Sequence, residues 1–416
     1  MTTLHTETKH RWTFIRKFFV LLPVTYFLLY MFPFPINVIV PFYTDFIDYV
    51  TLWIGKNLLE IESLTKIEMT GSGDTTYDYV KLLTIALLTI IATCSTLIFT
   101  KKYNNYTKFY NLTIIYARYY LGLYMLSYGF AKIYDGQFPF PTVGRLEQAY
   151  GNSSPMGLLW TFMGASKSYT VFSGLGEILG GALLLFRRTT VIGCLISLIV
   201  MLNFSYDVPV KIFSSHLVLI SIFILTPFIG KLYDSFILHK LTEIAFSKLI
   251  LPEKWLRVGR IILKSLILIA FPILTLIQII QSKEGEKNKL DFNGMYKADI
   301  FIANNDTLPP LTTDTLRWKQ MSIQEEYVKV TTMADSSVRY FALFDSLNKV
   351  LRIKSMSDTS EKYSFVYTKH PTTGYLTISG LYKRDSIFVS FKRKTLQDYL
   401  LVNRGFHWIS EYPYNR

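Results

Sequence analysis

The sequence has little cysteine and no cysteine motif. Its 416 residues include two cysteines, Cys94 and Cys194, and no CxxC pair. This pattern excludes a disulfide framework and a structural zinc site of the usual spacing. Both thiols fall inside predicted membrane helices. We interpret them as separate small apolar side chains, with a redox pair as the alternative.

Other catalytic signatures are absent as well. The six histidines are scattered, and no HExxH motif, glycine-rich phosphate loop or nucleophile elbow occurs. The sequence therefore offers no motif for haem or metal ligation and identifies no catalytic residue. No internal repeat is visible either, which counts against a transporter built from inverted repeats.

Apolar and aromatic residues are abundant. Hydrophobic residues make up 50% of the chain and aromatic residues 16%, with a mean hydropathy of +0.27. This composition is too apolar for an ordinary soluble protein of this length. The formal net charge of +14 would suggest nucleic acid in a soluble chain. Here we assign the lysines and arginines to segments that flank membrane spans, so we expect no nucleic-acid partner.

We predict an α-helical polytopic membrane bundle with about seven spans. Placing the short basic segments on the cytoplasmic side makes the N-terminus cytoplasmic and leaves the last part of the chain periplasmic. Residues 38–59 are apolar but interrupted by Asp45, Asp48 and Lys56, so they form either an interfacial helix or a further span. The predicted spans lie near residues 12–32, 82–100, 109–134, 168–188, 190–204, 215–230 and 261–280.

From residue 283 onward, short alternating runs separated by turn formers replace the long apolar runs. We predict a C-terminal extracytoplasmic antiparallel β domain, most simply a small barrel or sandwich. The candidate strands are Met295–Ile302, Tyr327–Thr332, Arg339–Phe344, Val350–Lys354, Tyr363–Tyr367, Tyr375–Ser379 and Ile387–Lys392.

These patterns divide the chain into four regions. The first has two spans and an acidic outer loop, the second is a four-span core, the third holds a cytoplasmic basic segment and the seventh span, and the fourth is the β domain. Their bounds are 1–108, 109–235, 236–282 and 283–416.

Two ionisable residues lie deep inside predicted spans. Arg118 is about ten residues from Lys108, and Glu177 is about ten residues from Arg187. If the two helices form a hairpin, both charges lie at a similar depth near the membrane midplane. An unpaired charge there costs several kcal/mol, so such residues usually pair inside a bundle. We predict a buried ion pair of Arg118 with Glu177.

A second set of polar residues is expected at the outer ends of the spans. These residues could form a pocket for an anionic or quinone-like head group, with lysine or histidine as hydrogen-bond donors. The alternative is a solvated rim of snorkelling lysines and interfacial aromatic residues. The candidates are Tyr128, Lys132, Asp135, Asp207 and His216.

Three sequence features occur together between Phe109 and Lys231. They are an arginine early in a span, a glycine and a lysine at its end, and a Glu-x-x-Gly-Gly segment followed by basic residues. In this chain they are Arg118, Gly129, Lys132, Glu177, Gly180 and Gly181. With this pattern the region resembles the DoxX-like family of small bacterial membrane proteins.

The resemblance implies a four-helix membrane core. It also implies quinone as a possible cofactor, because the family takes its name from a subunit associated with thiosulfate:quinone oxidoreductase. The missing redox-cysteine motif counts against a sulfur-redox role. We therefore expect first a non-enzymatic protein of the bacterial inner membrane. It would bind a lipid or a periplasmic protein partner and anchor the β domain. The alternatives are a quinone- or thiol-linked oxidoreductase component, and a small-molecule or lipid transporter that uses the Arg118–Glu177 pair.

Overall fold

The computed structural model describes residues 12–34, 40–66, 72–202, 210–242, 253–287, 292–324, 326–358, 360–370, 374–405, 407, 408, 411 and 412. It divides into two compact units. The helical unit comprises residues 1–138 and 166–279, and the barrel unit comprises residues 139–165 and 280–416.

Helices account for the regular structure of the first unit. In chain order, the helices are α1 (Phe14–Met31), α2 (Pro41–Asn57), α3 (Thr76–Phe99), α4 (Thr107–Ile133), α5 (Val143–Leu146), α6 (Pro155–Ala165), α7 (Lys167–Leu185), α8 (Thr190–Met201), α9 (Lys211–Leu225), α10 (Ile229–Phe236), α11 (Lys254–Lys287) and α12 (Leu400–Asn403). Of these, α5, α6 and α12 belong to the barrel unit.

Among the described residues, four helical segments are long and apolar enough to cross a membrane. They are α1, α3, α7 and the stretch Lys211–Phe236, which contains α9 and α10. The predicted helical membrane protein is confirmed to this extent. Helices α4, α8 and α11 cover the other three predicted spans. Their crossing of a membrane, and with it the count of seven, stays a prediction.

Helix α4 lies at the centre of the helical unit and packs against α1, α7 and α9. Its residues Ala117, Leu121 and Met125 are completely buried. Because they recur every four positions, they form one stripe along the helix. That stripe joins apolar side chains from α1, α8 and α9 in a single core.

A carboxylate from outside α9 caps that helix. Asp74, which precedes α3, accepts hydrogen bonds from the backbone N–H groups of Lys211 and Ile212 at 2.8 and 2.9 Å. The free N–H groups of a helix N-terminus carry partial positive charge, so a carboxylate there is stabilising. Next to it, Thr75 and Asp78 form the capping box of α3. The segment before α3 thus positions two helix N-termini.

Helices α4 and α7 approach each other to backbone contact. A Cβ atom on Gly181 would lie 2.7 Å from the carbonyl oxygen of Gly122, and one on Gly129 would lie 2.7 Å from that of Gly174. Small residues at facing positions let membrane helices pack this closely. The two glycine pairs define an antiparallel register in which Gly122 faces Gly181 and Gly129 faces Gly174.

We expect Gly181→Ala to destabilise the helical unit. The added methyl group would meet backbone atoms, and overpacking of this kind costs about 1–3 kcal/mol. That outweighs the gain of about 1 kcal/mol that alanine brings to a helix. Thermal unfolding in detergent measures the effect. The control is Gly230→Ala in α10, where no atom lies within 4 Å of the new Cβ. A Gly181→Ala protein as stable as this control would contradict the close packing.

The barrel unit contains one antiparallel sheet that closes on itself. Its strands follow one another in sequence, apart from the two-residue β2, and β1 pairs with β9 to complete the barrel. A register shift between Ala298 and Ile300 marks a bulge at which β1 can bend to serve both neighbours. The strands are β1 (Gly294–Ala303), β2 (Asp306–Thr307), β3 (Trp318–Gln324), β4 (Tyr327–Thr332), β5 (Ser337–Asp345), β6 (Val350–Ser355), β7 (Lys362–His370), β8 (Tyr375–Tyr382) and β9 (Asp385–Lys394).

Aromatic side chains fill the interior of the barrel. An eight-stranded barrel is just wide enough for its interior to be packed with side chains. Trp318 is 1% exposed, and its ring lies 5.1–6.5 Å from the rings of Phe301, Phe365, Tyr382 and Phe391, measured between centroids. The eight long strands therefore enclose a packed hydrophobic core.

The predicted antiparallel β domain is confirmed, and its form is a barrel. All seven candidate strands are present. Strand β3 was missed, because Lys319, Gln320 and Ser322 make its sequence polar and a register shift between Trp318 and Gln320 interrupts the alternation.

The segment 139–165 lies between α4 and α7 in the sequence, but its contacts group it with the barrel. The Nζ atom of Lys394, the last residue of β9, is 2.5 Å from Oε1 of Glu147 and 4.0 Å from the centre of the Tyr399 ring. Burial acts to raise the pKa of Glu147, but the hydrogen bond and charge of Lys394 hold that pKa below its ordinary value. An ionised Glu147 thus links this segment to the barrel.

Candidate functional site

A buried ion pair in the helical unit joins Lys132 of α4 to Glu177 of α7. The Nζ atom of Lys132 is 2.5 Å from Oε1 of Glu177, and the two residues are 7% and 3% exposed. The other carboxylate oxygen, Oε2 of Glu177, is buried and has no hydrogen-bond partner among the described residues. Buried polar atoms are rarely left unbonded. The pair therefore offers one acceptor to a further donor.

The predicted pair of Arg118 with Glu177 was wrong in its cation. The glycine register places Arg118 level with Leu185, about two helical turns from Glu177. Side chains also tilt toward the N-terminus of their own helix. In two antiparallel helices this tilt brings Lys132 and Glu177 together and directs Arg118 away from both. Counting depth from the flanking basic residues assumed a register that the glycines do not allow.

Arg118 instead lies at the opposite end of the α4–α7 pair. Its Nη1 atom is 3.4 Å from Oγ1 of Thr190, the first residue of α8, and its Cζ atom is 5.1 Å from the centre of the Tyr119 ring. It is 8% exposed. Among the described residues, no carboxylate pairs with it. The two buried cations of α4 thus have different surroundings.

Tyrosine rings continue from Lys132 along α4. The ring centre of Tyr128 is 5.9 Å from the Nζ atom of Lys132. The ring of Phe213, from α9, lies 5.1 Å from that of Tyr124 and 6.1 Å from that of Tyr128. The rings of Tyr120 and Tyr124 are 4.7 Å apart. Because Tyr120, Tyr124 and Tyr128 recur every four residues, they share one face of the helix.

His216 is buried within α9 and is not a rim residue. Its Nδ1 atom is 2.6 Å from the carbonyl oxygen of Ile212, and its Nε2 atom is 2.6 Å from the hydroxyl of Tyr26. A carbonyl can only accept, so Nδ1 of the neutral ring carries the proton and Nε2 accepts from Tyr26. The ring of Tyr30 stacks on the imidazole at 3.9 Å. Both nitrogens of His216 therefore have protein partners.

The remaining candidates of the predicted outer pocket do not join this site. Asp135 forms an ion pair with Lys167 in which both side chains are at least a third exposed, as the solvated-rim interpretation expects. Asp207 lies outside the described residues. The structure thus brings Lys132 and Tyr128 together and leaves Asp135 at the surface.

Sequence reasoning missed Tyr26 and Tyr30 of α1, which hold His216. Their rings are stacked with centroids 6.4 Å apart. The signal was present, because a spacing of four residues puts both phenols on one face of an otherwise apolar helix.

The two cysteines are free, and their surroundings differ. Cys94 is exposed and Cys194 is buried. Within the part of the chain that the structure describes, no group of three or more histidine, cysteine, aspartate or glutamate residues could hold a metal ion.

A double-mutant cycle identifies the partner of Glu177. Breaking a buried ion pair by removing one charge costs about 3–5 kcal/mol. We expect Glu177→Gln combined with Lys132→Gln to cost less than the two single changes added together, with a coupling of roughly 1–3 kcal/mol. The measurement is unfolding in detergent. Glu177→Gln combined with Arg118→Gln is the control, and it should be additive within about 0.5 kcal/mol. A coupling of Glu177 to Arg118 and not to Lys132 would support the ion pair predicted from the sequence.

The described residues define a helical protein with four candidate membrane spans, a buried lysine–glutamate pair and an eight-stranded antiparallel barrel. The chain is similar to the uncharacterized protein YwoB of Bacillus subtilis (strain 168). It is 35% identical to YwoB over 113 residues, which are 26% of this chain and 71% of YwoB. The chain therefore belongs to the same family as YwoB. No protein-family model matches the chain, and no solved structure matches it.

Proposed function

We propose that the protein is an integral protein of the bacterial inner membrane that binds the polar head group of a lipid or quinone and anchors the β barrel on the periplasmic side. The proposal depends on one observation. Glu177 is buried between two helices with one oxygen held by Lys132 and the other unused. Ionisable residues inside membrane helices are costly and mark binding sites and ion pathways.

The chemistry of the site suits an uncharged head group that bears oxygen atoms. A hydroxyl group of the ligand would donate to Oε2 of Glu177, and a carbonyl or ester oxygen would accept from Lys132. The phenol of Tyr128 adds a further hydrogen-bonding group and a flat face next to the ion pair, and Tyr124 continues the row of rings along α4. The glycine contacts hold α4 and α7 at a defined separation. The groups that would bind the ligand are thereby held in place before it arrives.

The DoxX-like resemblance supports this proposal, since Lys132 and Glu177 both belong to the resembling pattern. A quinone-linked role is the second candidate function. The row of phenol rings along α4 favours it, because aromatic rings stack on a quinone ring. The identity of the bound molecule decides between the two.

We expect the detergent-purified protein to retain one class of lipid or quinone, and the double variant Lys132→Gln/Glu177→Gln to lose it. The double variant removes both partners, so it leaves no uncompensated buried charge and should stay folded. Extraction followed by mass spectrometry identifies the molecule and its amount.

The matched control removes the exposed pair at the same end of the two helices, as Lys167→Gln/Asp135→Asn. This control should retain the ligand at the wild-type level. An unchanged complement of bound molecules in a folded Lys132→Gln/Glu177→Gln protein would refute the site.

The proposed orientation has a separate test. Ser336 is exposed on the barrel between β4 and β5. In a background without Cys94 and Cys194, we expect Ser336→Cys to react with a membrane-impermeant thiol reagent in intact spheroplasts. Lys102→Cys, after the end of α3, serves as the cytoplasmic control and should react only after lysis. The reverse pattern would place the barrel in the cytoplasm.

A further inference from the structure

Near the C-terminal end of α7, two cations of the helical unit, Arg118 and Lys264, lie close together, and no carboxylate among the described residues pairs with them. Lys264 of α11 donates from Nζ to the carbonyl oxygen of Leu185, the last residue of α7, at 2.6 Å. The same Nζ atom is 5.7 Å from the centre of the Tyr119 ring, and Arg118 lies over that ring at 5.1 Å. The two cations therefore share one aromatic ring. We call Arg118, Tyr119, Thr190 and Lys264 the Arg118 site.

The start of α8 adds positive potential to the same place. Thr190, which contacts Arg118, is the first residue of this 12-residue helix, and no side chain caps the helix N-terminus. The N–H group of Thr190 itself is bonded to the carbonyl oxygen of Arg187, so the helix end contributes through its dipole, which favours anions. The preceding turn contributes two more cations, Arg187 and Arg188.

In the part of the chain that the structure describes, no acidic side chain of the surrounding helices pairs with these cations. Helices α4 and α8 contain no aspartate or glutamate, and the first acidic residue of α11 is Glu284, near its end. The acidic residue of α7, Glu177, is bound to Lys132. The Nε atom of Arg118 is buried and has no hydrogen-bond partner among the described residues. The site thus presents a buried donor without a protein partner among the described residues.

Helix α11 carries an exposed apolar face along the stretch that contains Lys264. This face runs from Ile261 to Leu274, and the side chains that form it all belong to α11. At 1.5 Å per residue this length is about 20 Å, more than the roughly 15 Å of hydrocarbon in one bilayer leaflet. Lys264 lies within the same stretch of the helix. A charged head-group site and an acyl-chain surface are therefore adjacent.

We infer that the Arg118 site binds the phosphate of an anionic phospholipid, with an acyl chain of that lipid lying along α11. Basic pockets between membrane helices bind anionic lipid head groups in this manner. The guanidinium and ammonium groups donate to the phosphate oxygens, and the ring of Tyr119 holds the two cations in place. This site lies about 20 Å along α4 from Lys132, so it is separate from the proposed head-group site and does not depend on it.

The test is native mass spectrometry of the full-length protein in nanodiscs or detergent supplemented with phosphatidylglycerol or phosphatidylcholine. We expect preferential retention of phosphatidylglycerol, and a loss of about fivefold in that retention for Lys264→Met, since one basic residue contributes about this much to anionic-lipid binding. Lys254→Met is the matched control, because it removes an exposed lysine from the same helix. It should retain phosphatidylglycerol as the wild type does.

Three results would overturn the inference. The first is equal retention of the two lipids by the wild type. The second is unchanged phosphatidylglycerol retention in Lys264→Met. The third is a gain in thermal stability with glycerol phosphate alone as large as that with phosphatidylglycerol, which would assign the site to a free phosphate. A purely structural role of Lys264 at the end of α7 would lower stability equally in both lipids and leave the preference unchanged, which would also count against the lipid site.

Discussion

The contact between the backbones of α4 and α7 determines most of what is distinctive in the helical unit. Four glycines let the two helices meet at a separation at which an added Cβ atom would crowd the facing backbone. This contact sets their register, and the register decides which charges meet. Lys132 falls within reach of Glu177, while Arg118 falls level with the end of α7 and contacts Thr190.

Because of the same contact, the two buried cations of α4 differ in whether they have a counter-charge inside the protein. Lys132 is neutralised inside the protein, so its site requires only an uncharged partner for the remaining oxygen of Glu177. Arg118 has no internal counter-charge among the described residues, so its surroundings favour an anion from outside the chain. Helix α4 thus lies at the centre of the unit although it carries two buried cations. Its polar groups face other helices, where burial is compensated by pairing or by ligands.

The sequence predicted the regular structure well and the partners of the charges poorly. Seven strands of the barrel followed from local alternation, but the closure of β1 on β9 joins residues about ninety positions apart, which no local pattern reports. Strand β3 was missed even though Trp318 is among the most buried residues of the barrel, because only its neighbours in space reveal that burial. Arg118 and Glu177 were each recognised as unusual. The prediction that they pair was wrong, because the partner of each charge depends on the register of the two helices and on the tilt of their side chains. Neither can be read from the composition of a single helix.

The two units differ in what their interiors contain. The interior of the barrel is occupied by large rings around Trp318, so this unit acts as a rigid body and not as a container. Among the described residues of the predicted spans, buried side-chain atoms without a hydrogen-bond partner belong to Arg118, Glu177 and Ser197. In a medium without water, such a group must find its partner in the protein or in the molecules of the membrane. The proposed binding of membrane components by the helical unit would give these groups such partners. The barrel contributes a separately packed body.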